Sequence, residues 1–184
     1  MKYFTLETYL AHPDWDADDE SQDRWLATLK AEAAAYERRL NELKGRLPDN
    51  LMAIAPAWHV DDALVSRVCF DKANGWLLLT LRCGNIPDGY FDLTLRYEGV
   101  DISEDHLRVL SDIACNTSCT QFDNDAYVHE LDLLDNGRVE HRFLFYPGMW
   151  FAIRCDRMSW ERTERRNRTL PRFKHRFRVV NGSD

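Results

Sequence analysis

Two predicted β-hairpins constrain the fold of this 184-residue chain more than any other feature. In the first, Asn74 and Gly75 lie between two runs in which apolar and polar side chains alternate. An Asn-Gly pair favours a type I′ turn, because both central residues of that turn take positive φ. A two-residue turn would place Phe70 opposite Leu79, and a one-residue slip would pair the apolar row with the polar one. Turn and pattern therefore predict the same register.

The second hairpin turns at residues 135–137, a three-residue loop that ends in glycine. We expect this glycine to take the left-handed conformation. The loop then sets Leu133 opposite Val139 and Tyr127 opposite Phe145. Hairpins of this kind indicate a fold class, and they indicate no particular reaction.

A long helix is predicted over residues 21–47, where apolar side chains recur at alternating gaps of three and four residues. These side chains are Leu26, Leu29, Ala33, Tyr36, Leu40, Leu43 and Leu47. Ser21 is the predicted N-cap, because it follows an acidic run and precedes the periodic segment. We favour packing of this helix within its own domain. The spacing also matches the seam of a two-stranded coiled coil, so homodimerisation through the helix is the alternative.

Further periodic segments complete the secondary structure. Residues 89–97 alternate apolar and polar side chains, as a half-buried strand does. A short helix is predicted to begin at Ser103, and another strand is predicted over residues 150–155. The order of elements indicates an α+β fold, an antiparallel β-sheet built from hairpins with one long N-terminal helix and one short helix.

We divide the chain into one α+β domain over residues 1–158, with the sheet at about 63–155, and a basic, Arg-rich tail over residues 159–184. Hydrophobic residues make up 45% of the chain, which is enough for a sizeable core. Ten side chains are expected to be buried on one side of one antiparallel sheet: Phe70, Leu79, Leu81, Phe91, Leu93, Leu95, Leu131, Leu133, Phe143 and Phe145.

The composition also bears on the compartment. No apolar run approaches the roughly 18 residues of a membrane span. The first five residues lack the apolar segment of a signal peptide, and acidic residues follow soon after. Five cysteines cannot all pair within one chain, so reduced thiols are expected. These features predict a cytoplasmic protein that does not enter a membrane.

Charge is distributed unevenly along the chain. The net charge is −7, yet residues 154–178 carry 10 Lys and Arg against 3 Asp and Glu. Arginines interleaved with aromatic side chains such as Trp160 and Phe173 could track phosphates and stack on nucleic-acid bases. The rest of the chain is acidic and would repel a polyanion, so we favour a tail that folds back onto it or pairs as an edge strand. Residues 173–180 are the strand candidate.

Several segments resemble an uncharacterised bacterial family known as domain of unknown function 4085. They are Met1-Lys2-Tyr3-Phe4-Thr5, Gly89-Tyr90-Phe91-Asp92-Leu93-Thr94-Leu95, and His129-Glu130-Leu131-Asp132 followed by Glu140-His141-Arg142-Phe143-Leu144. The resemblance covers most of residues 1–158 and leaves the basic tail unmatched. It implies a bacterial cytoplasmic protein and brings no established catalytic residues with it.

The polar face of the second hairpin carries the candidate site. The three-residue loop places Glu130 opposite Arg142, and Asp132 opposite Glu140. Two carboxylates directly opposite each other repel, and a cation or a partner's Lys or Arg between them would explain the arrangement. An ordinary solvated strand face, neutralised by arginine neighbours, is the favoured interpretation. The functional hypothesis is that these four residues form a partner-binding acidic patch, and a metal or catalytic site is the third alternative. If Asp132 and Glu140 are held together to meet a cationic partner, replacing Asp132 with Asn should leave stability unchanged or slightly raised, because it relieves their repulsion.

Histidines elsewhere offer weaker candidates. His129 and His141 lie on the opposite, core-side face of the same hairpin, and metal ligands must converge on one point. His59, Asp61 and Asp62 could supply an imidazole and two carboxylates, and they also fit a polar turn before the first strand. We therefore predict no metal or other cofactor.

The remaining local motifs do not indicate an enzyme. Cys115 and Cys119 are four residues apart, but no second Cys or His pair follows at zinc-finger spacing. His106 is expected to be an exposed side chain near the first turn of the short helix. The sequence lacks a nucleophile elbow, a phosphate-binding loop, a dinucleotide-binding loop and a zinc-protease motif.

The favoured function is a non-catalytic, cytoplasmic protein-binding domain and, by class-level analogy, a toxin-neutralising protein of the immunity type. The expected partner is another protein with a basic surface, since electrostatic complementarity speeds association. One alternative is a metal-binding protein or hydrolase that uses the carboxylates and histidines of residues 129–141, together with those of residues 59–62. The other is nucleic-acid binding through the basic tail.

Overall fold

A computed structural model describes residues 1–13, 16, 18–56, 60–118, 124–172 and 175–181. Its helices are α1 (Leu6–Leu10), α2 (Asp19–Leu43), α3 (Asp49–Met52) and α4 (Glu104–Asn116). Its strands are β1 (Leu64–Asp71), β2 (Trp76–Asn85), β3 (Gly89–Glu98), β4 (Ala126–Leu133), β5 (Val139–Phe145), β6 (Met149–Cys155), β7 (Arg157–Arg165) and β8 (Phe177–Val180).

The described strands form two sheets. The larger has the order β7-β3-β2-β1-β8, and the smaller has the order β4-β5-β6. All neighbouring strands are antiparallel except β8, which runs parallel to β1. The predicted α+β class is confirmed, but the expectation of one sheet is wrong, because each hairpin belongs to a different sheet. Local alternation specifies how a hairpin pairs with itself and leaves open which hairpins become neighbours.

The β1-β2 hairpin has a longer loop than its Asn-Gly pair predicts. Phe70 lies opposite Leu77 instead of Leu79. The Asp71 carboxylate accepts hydrogen bonds from the backbone N–H and the side-chain amide of Asn74, both at 2.9 Å, and of the two predicted turn residues only the glycine takes positive φ. This side-chain-stabilised turn shifts the register by two residues. Each side chain therefore keeps its predicted face.

The β4-β5 hairpin follows the prediction near its turn. Leu133 pairs with Val139, and the glycine of the loop has a φ of 81°. At the far end, a bulge leaves Tyr127 without a paired residue and places Ala126 opposite Phe145. The prediction for that end is wrong by one residue, because a bulge inserts an extra residue that alternation does not reveal.

Helix α2 confirms the predicted long helix with different ends. It begins at Asp19, and the side chain of Asp18 accepts a hydrogen bond at 2.7 Å from the backbone N–H of Ser21. Asp18 is therefore the N-cap, in place of Ser21, and the helix ends at Leu43. Leu47 lies beyond the helix and is buried all the same.

The apolar stripe of α2 is covered along only part of its length. Tyr36 and Leu43 are buried, whereas Leu26, near the start of the stripe, is 39% exposed. Packing within the domain therefore accounts for the second half of the stripe, and homodimerisation through the helix stays a prediction. No helix in the described part of the chain is long and apolar enough to cross a membrane.

The short helix α4 begins as predicted. The Ser103 hydroxyl accepts a hydrogen bond at 3.2 Å from the backbone N–H of His106, which caps the helix. Leu110 and Ala114 are buried, and the helix packs against β6. A capping serine and one apolar face are sufficient to predict this element.

One hydrophobic core receives side chains from both sheets. Eight of the ten predicted core residues are buried in it, and Phe91 and Leu133 are partly buried against it. The predicted inward faces of the strands are therefore correct, although they belong to two sheets.

The basic residues expected to form a tail contribute to the larger sheet. Strand β7 pairs along β3, and strand β8 pairs along β1 at the opposite edge. Arg165 lies 2.7 Å from Asp92, and Arg168 lies 3.2 Å from Asp125. These contacts match the alternative in which the segment pairs as an edge strand and neutralises acidic residues of the body. Phe173 lies outside the described residues.

Candidate functional site

The predicted acidic patch has the predicted pairing but lies inside the protein. Glu130 is opposite Arg142, and Asp132 is opposite Glu140. All four residues are at most 8% exposed. The prediction that these residues form a partner-binding surface is wrong, because a partner could not reach them. Helix α2 and the first residues of the chain cover this face of the hairpin, as their contacts with its carboxylates show.

Glu130 holds the first residues of the chain. Its carboxylate accepts hydrogen bonds from the backbone N–H groups of Lys2, Tyr3 and Phe4, with shortest distances of 2.8–2.9 Å. The guanidinium of Arg142 lies 3.2 Å from the same carboxylate. A buried carboxylate with several donors is well satisfied, and breaking such a set is costly. Glu130 therefore serves as an internal anchor.

The two opposed carboxylates have their own cations. Asp132 lies 2.8 Å from the ammonium of Lys2 and 2.7 Å from the guanidinium of Arg39. Burial would raise the pKa of Asp132, but the hydrogen bonds from these two side chains outweigh it and hold the pKa below its ordinary value. Glu140 pairs with Arg142 and, at 2.7 Å, with Arg154. Basic side chains of the same chain therefore supply the positive charge that was expected beside the two opposed carboxylates.

The core-side histidines form a closed chain of hydrogen bonds. Pro56 O lies 2.9 Å from Nε2 of His129, whose Nδ1 lies 2.8 Å from Nε2 of His141. Nδ1 of His141 lies 2.9 Å from the hydroxyl of Tyr97. A carbonyl only accepts, so His129 donates through Nε2. With one proton on each ring, His141 then donates to Nδ1 of His129, and Tyr97 donates to His141. Burial and, to a lesser extent, the neighbouring His129 lower the pKa of His141 well below its ordinary value.

A groove of about 720 Å³ on the surface is an accessible candidate site. Four separate segments form it, and its lining residues are Tyr9, Leu10, His12, Pro13, Asp61, Asp62, Asp125, Ala126, Tyr127, Tyr146 and Pro147. We call it the tyrosine–aspartate groove. Clefts in which aromatic walls meet a few charged groups are the usual form of a binding site.

Three tyrosines form the aromatic wall of the groove. The rings of Tyr9 and Tyr127 meet edge to face with centroids 4.8 Å apart, and Tyr146 lies 6.3 Å from Tyr9 in a similar orientation. Partial burial raises the pKa of Tyr9 and of Tyr127 to about 12, so these hydroxyls stay neutral at physiological pH. Tyr146 is 48% exposed and is available to a ligand.

Adjacent carboxylates form the acidic part of the groove. Although the Asp61 side chain reaches solvent, partial burial and the neighbouring charge of Asp62 raise the pKa of Asp61 to about 6. Neither carboxylate forms an ion pair with a basic side chain of the described residues. Asp62 has a φ of 58° and Asn124, next to the groove residue Asp125, has a φ of 67°. Left-handed backbone at non-glycine residues often accompanies functional sites.

Another groove, of about 700 Å³, lies between α1 and α2. Its charged lining residues, Glu7 and Arg24, have opposite signs, and Trp25 already donates a hydrogen bond to Thr8 O at 3.0 Å. It offers no converging set of like charges, so the tyrosine–aspartate groove is the stronger candidate.

The structure describes only some of the other residues that the sequence suggests as candidates. His59 and Cys119 lie outside the described residues. His106 is partly buried, with its ring 4.7 Å from that of Trp150, so it is less exposed than predicted. The described cysteines Cys69, Cys83, Cys115 and Cys155 are free thiols. In the described ranges, no group of three or more His, Cys, Asp or Glu side chains could hold a metal ion.

Sequence reasoning finds only part of the groove. It identifies Asp61 and Asp62, but as partners of a histidine. It does not identify the three tyrosines, because they are far apart in sequence and carry no spacing signal. The clearest local sign is the acidic pair itself, placed between the first helical region and the first strand.

Comparisons with protein-family models, with curated proteins and with solved structures find no match. The resemblance to domain of unknown function 4085 therefore stays a prediction, and the function is argued from the geometry alone.

Proposed function

We propose that this protein is a non-catalytic, cytoplasmic protein-binding domain, and that the tyrosine–aspartate groove receives a basic segment of its partner. The observation that carries the proposal is the pair Asp61 and Asp62, which lies beside three tyrosine rings and whose carboxylates form no ion pair with a described basic side chain. The nearby Arg168 guanidinium contacts Asp62 only at its backbone carbonyl, at 3.0 Å. The free thiols of the described cysteines support a reducing compartment. Neutralisation of a basic toxin would be one form of such binding.

A lysine or arginine side chain fits both walls of the groove. Its charge would neutralise the repulsion between Asp61 and Asp62, and its apolar stem could lie along the rings. A cation over a tyrosine face contributes about 0.5–1 kcal/mol at an exposed site, and more when the contact is desolvated. Charge complementarity would also speed association.

The contacts within the hairpin of residues 129–141 argue against the predicted partner-binding surface there, and against the enzymatic alternative. Glu130 is occupied by backbone N–H groups and Asp132 by basic side chains, while His129 and His141 bind each other. A metal or a substrate would have to displace these hydrogen bonds.

Nucleic-acid binding through the basic C-terminal residues also loses support, because arginines such as Arg165 already pair with carboxylates elsewhere in the chain.

The test is binding of a fluorescent oligo-arginine peptide, with an oligo-glutamate peptide as the negative control. Replacing Asp61 and Asp62 together with Asn should weaken binding about tenfold or more, which corresponds to about 1.4 kcal/mol. Asn is suitable because it tolerates the positive φ of Asp62. The matched control replaces Asp88 and Asp112, which are exposed and distant in sequence from the groove, with Asn.

Three outcomes contradict the proposal. If both double variants weaken binding equally, the peptide responds to net charge and not to the groove. If Tyr146→Ala leaves affinity unchanged within a factor of two while the Asp variants weaken it, the aromatic wall is not part of the site. Absence of any peptide binding would also reject it.

A further inference from the structure

The outer edge of β7 is a long sheet edge, since strands most often have about five to six residues. The strand is nine residues long and lies at the end of the larger sheet. Its inner side is paired with β3 from Tyr90–Arg165 to Glu98–Arg157, and no described strand pairs with its outer side. Backbone N–H and C=O groups on such an edge are a ready template for another strand.

The charges along this edge form a self-complementary pattern. Residues 161–165 read Glu-Arg-Thr-Glu-Arg, and all five are exposed. If two copies of this segment run antiparallel with Thr163 opposite itself, Glu161 faces Arg165 and Arg162 faces Glu164. Symmetry produces each of these opposite-charge pairs twice, and cross-strand pairs of opposite charge stabilise a sheet.

From this pattern we propose that β7 pairs antiparallel with β7 of a second copy of this chain. The larger sheets of the two copies then form one continuous sheet across a two-fold axis at Thr163. Such an isologous contact closes after two subunits, as is usual for homodimers. The proposal is independent of the tyrosine–aspartate groove.

Three of the four charged side chains already have contacts within their own chain, and the fourth has no ion pair among the described residues. Arg162 lies over the ring of Phe91 at 3.8 Å and is 2.7 Å from Glu164 on its own strand. Arg165 is held by Asp92. Glu161 makes no ion pair with any described residue, so its charge is available to a facing arginine.

Symmetry restricts the registers that compete with this one. A two-fold axis perpendicular to the sheet places one residue opposite itself, so an axis at any charged residue opposes two like charges. An axis at Ser159 avoids this and pairs Glu161 with Arg157. That register forms only one repeated ion pair within β7, whereas the axis at Thr163 forms two. Axes at the other uncharged residues of β7 form no opposite-charge pair within the strand.

The experiment is sedimentation velocity of the full chain over a wide concentration range, with a charge-swap set of variants. Wild-type protein should dimerise. Glu161→Arg and Arg165→Glu should each raise the dimer dissociation constant about tenfold or more, because each creates two like-charge pairs. An equimolar mixture of the two variants should associate again, since the arginine introduced at position 161 of one chain would then face the glutamate introduced at position 165 of the other. The double variant should likewise restore the homodimer.

Two kinds of control are needed: one tests the register of the contact, and the other tests whether each variant still folds. Arg157→Glu should not change association if the axis lies at Thr163, and it should weaken association if the axis lies at Ser159. Because Arg165→Glu removes the contact with Asp92, the pair Arg162→Glu and Glu164→Arg provides a second swap, and circular dichroism checks that each variant is folded.

Clear results would overturn the proposal. A wild-type chain that stays monomeric at the highest concentration reached would reject it. So would single variants that dimerise like wild type, or mixtures in which association is not restored although both variants are folded. A dimer that is lost with Leu26→Glu on α2 and kept with Glu161→Arg would assign the interface to the long helix instead.

Discussion

Replacing Asp132 with Asn should destabilise this protein, in contrast to what an exposed carboxylate pair would give. The side chain of Asp132 is 2% exposed and receives Lys2 at 2.8 Å and Arg39 at 2.7 Å. Asn keeps the shape but loses the charge that both cations face. Hydrogen bonds to charged groups contribute about 1.5–3 kcal/mol each in net stability.

The expected magnitude follows from the exposure of the partners. Lys2 and Arg39 are partly solvent-accessible, so water can compensate for part of the lost contact. Relief of repulsion with Glu140 offsets only about 0.2–1 kcal/mol, because Arg142 and Arg154 already neutralise that carboxylate. We therefore expect a loss of about 2 kcal/mol in the free energy of unfolding, which is less than the roughly 3–5 kcal/mol expected when a fully buried ion pair loses one partner.

Urea denaturation at neutral pH measures this loss, with Asp112→Asn as the exposed control of equal charge change. The pKa of Asp132 is lowered in the folded protein, so its contribution is present above the unfolded value of 3.8 and disappears as pH falls through the folded value. Wild type and variant should therefore converge in stability in acid. An unchanged unfolding free energy at neutral pH would refute the reasoning, since it would mean that these buried ion pairs contribute nothing.

Three further predictions test the core, the long helix and the groove. Leu81 is fully buried, so Leu81→Ala should cost about 2–5 kcal/mol in urea denaturation, and a loss below about 0.5 kcal/mol would contradict the assigned faces. Leu40 packs against the core and against a second cluster of buried side chains, Phe4, Tyr36 and Val128, so Leu40→Glu should lower the melting temperature of the monomer. Loss of a dimer with an unchanged fold would instead support the coiled-coil alternative. Because the pKa of Asp61 is about 6, affinity for oligo-arginine should rise between pH 5 and 7 and then level off, and Asp61→Asn should abolish this rise in a fluorescence titration. If the rise persists in that variant, Asp61 does not control it.

Local patterns in the sequence are sufficient for the elements and their inward faces. The alternation along β3 and the serine before α4 act within a few residues, so they can be read without the rest of the chain. The same holds for the three-residue turn of the second hairpin, whose glycine and pairing near the loop agree with the prediction. Even where the first hairpin is shifted by two residues, alternation preserves the faces.

The tertiary structure alone decides which polar residues are accessible. Glu130 and Asp132 alternate with apolar neighbours as surface residues do, and nothing near them in sequence shows that Lys2 and Arg39 will cover them. Tyr9, Tyr127 and Tyr146 likewise form one wall only after separate segments meet. Alternation separates the two faces of a strand, but whether the polar face meets water depends on contacts between residues about a hundred positions apart, as for Lys2 and Glu130.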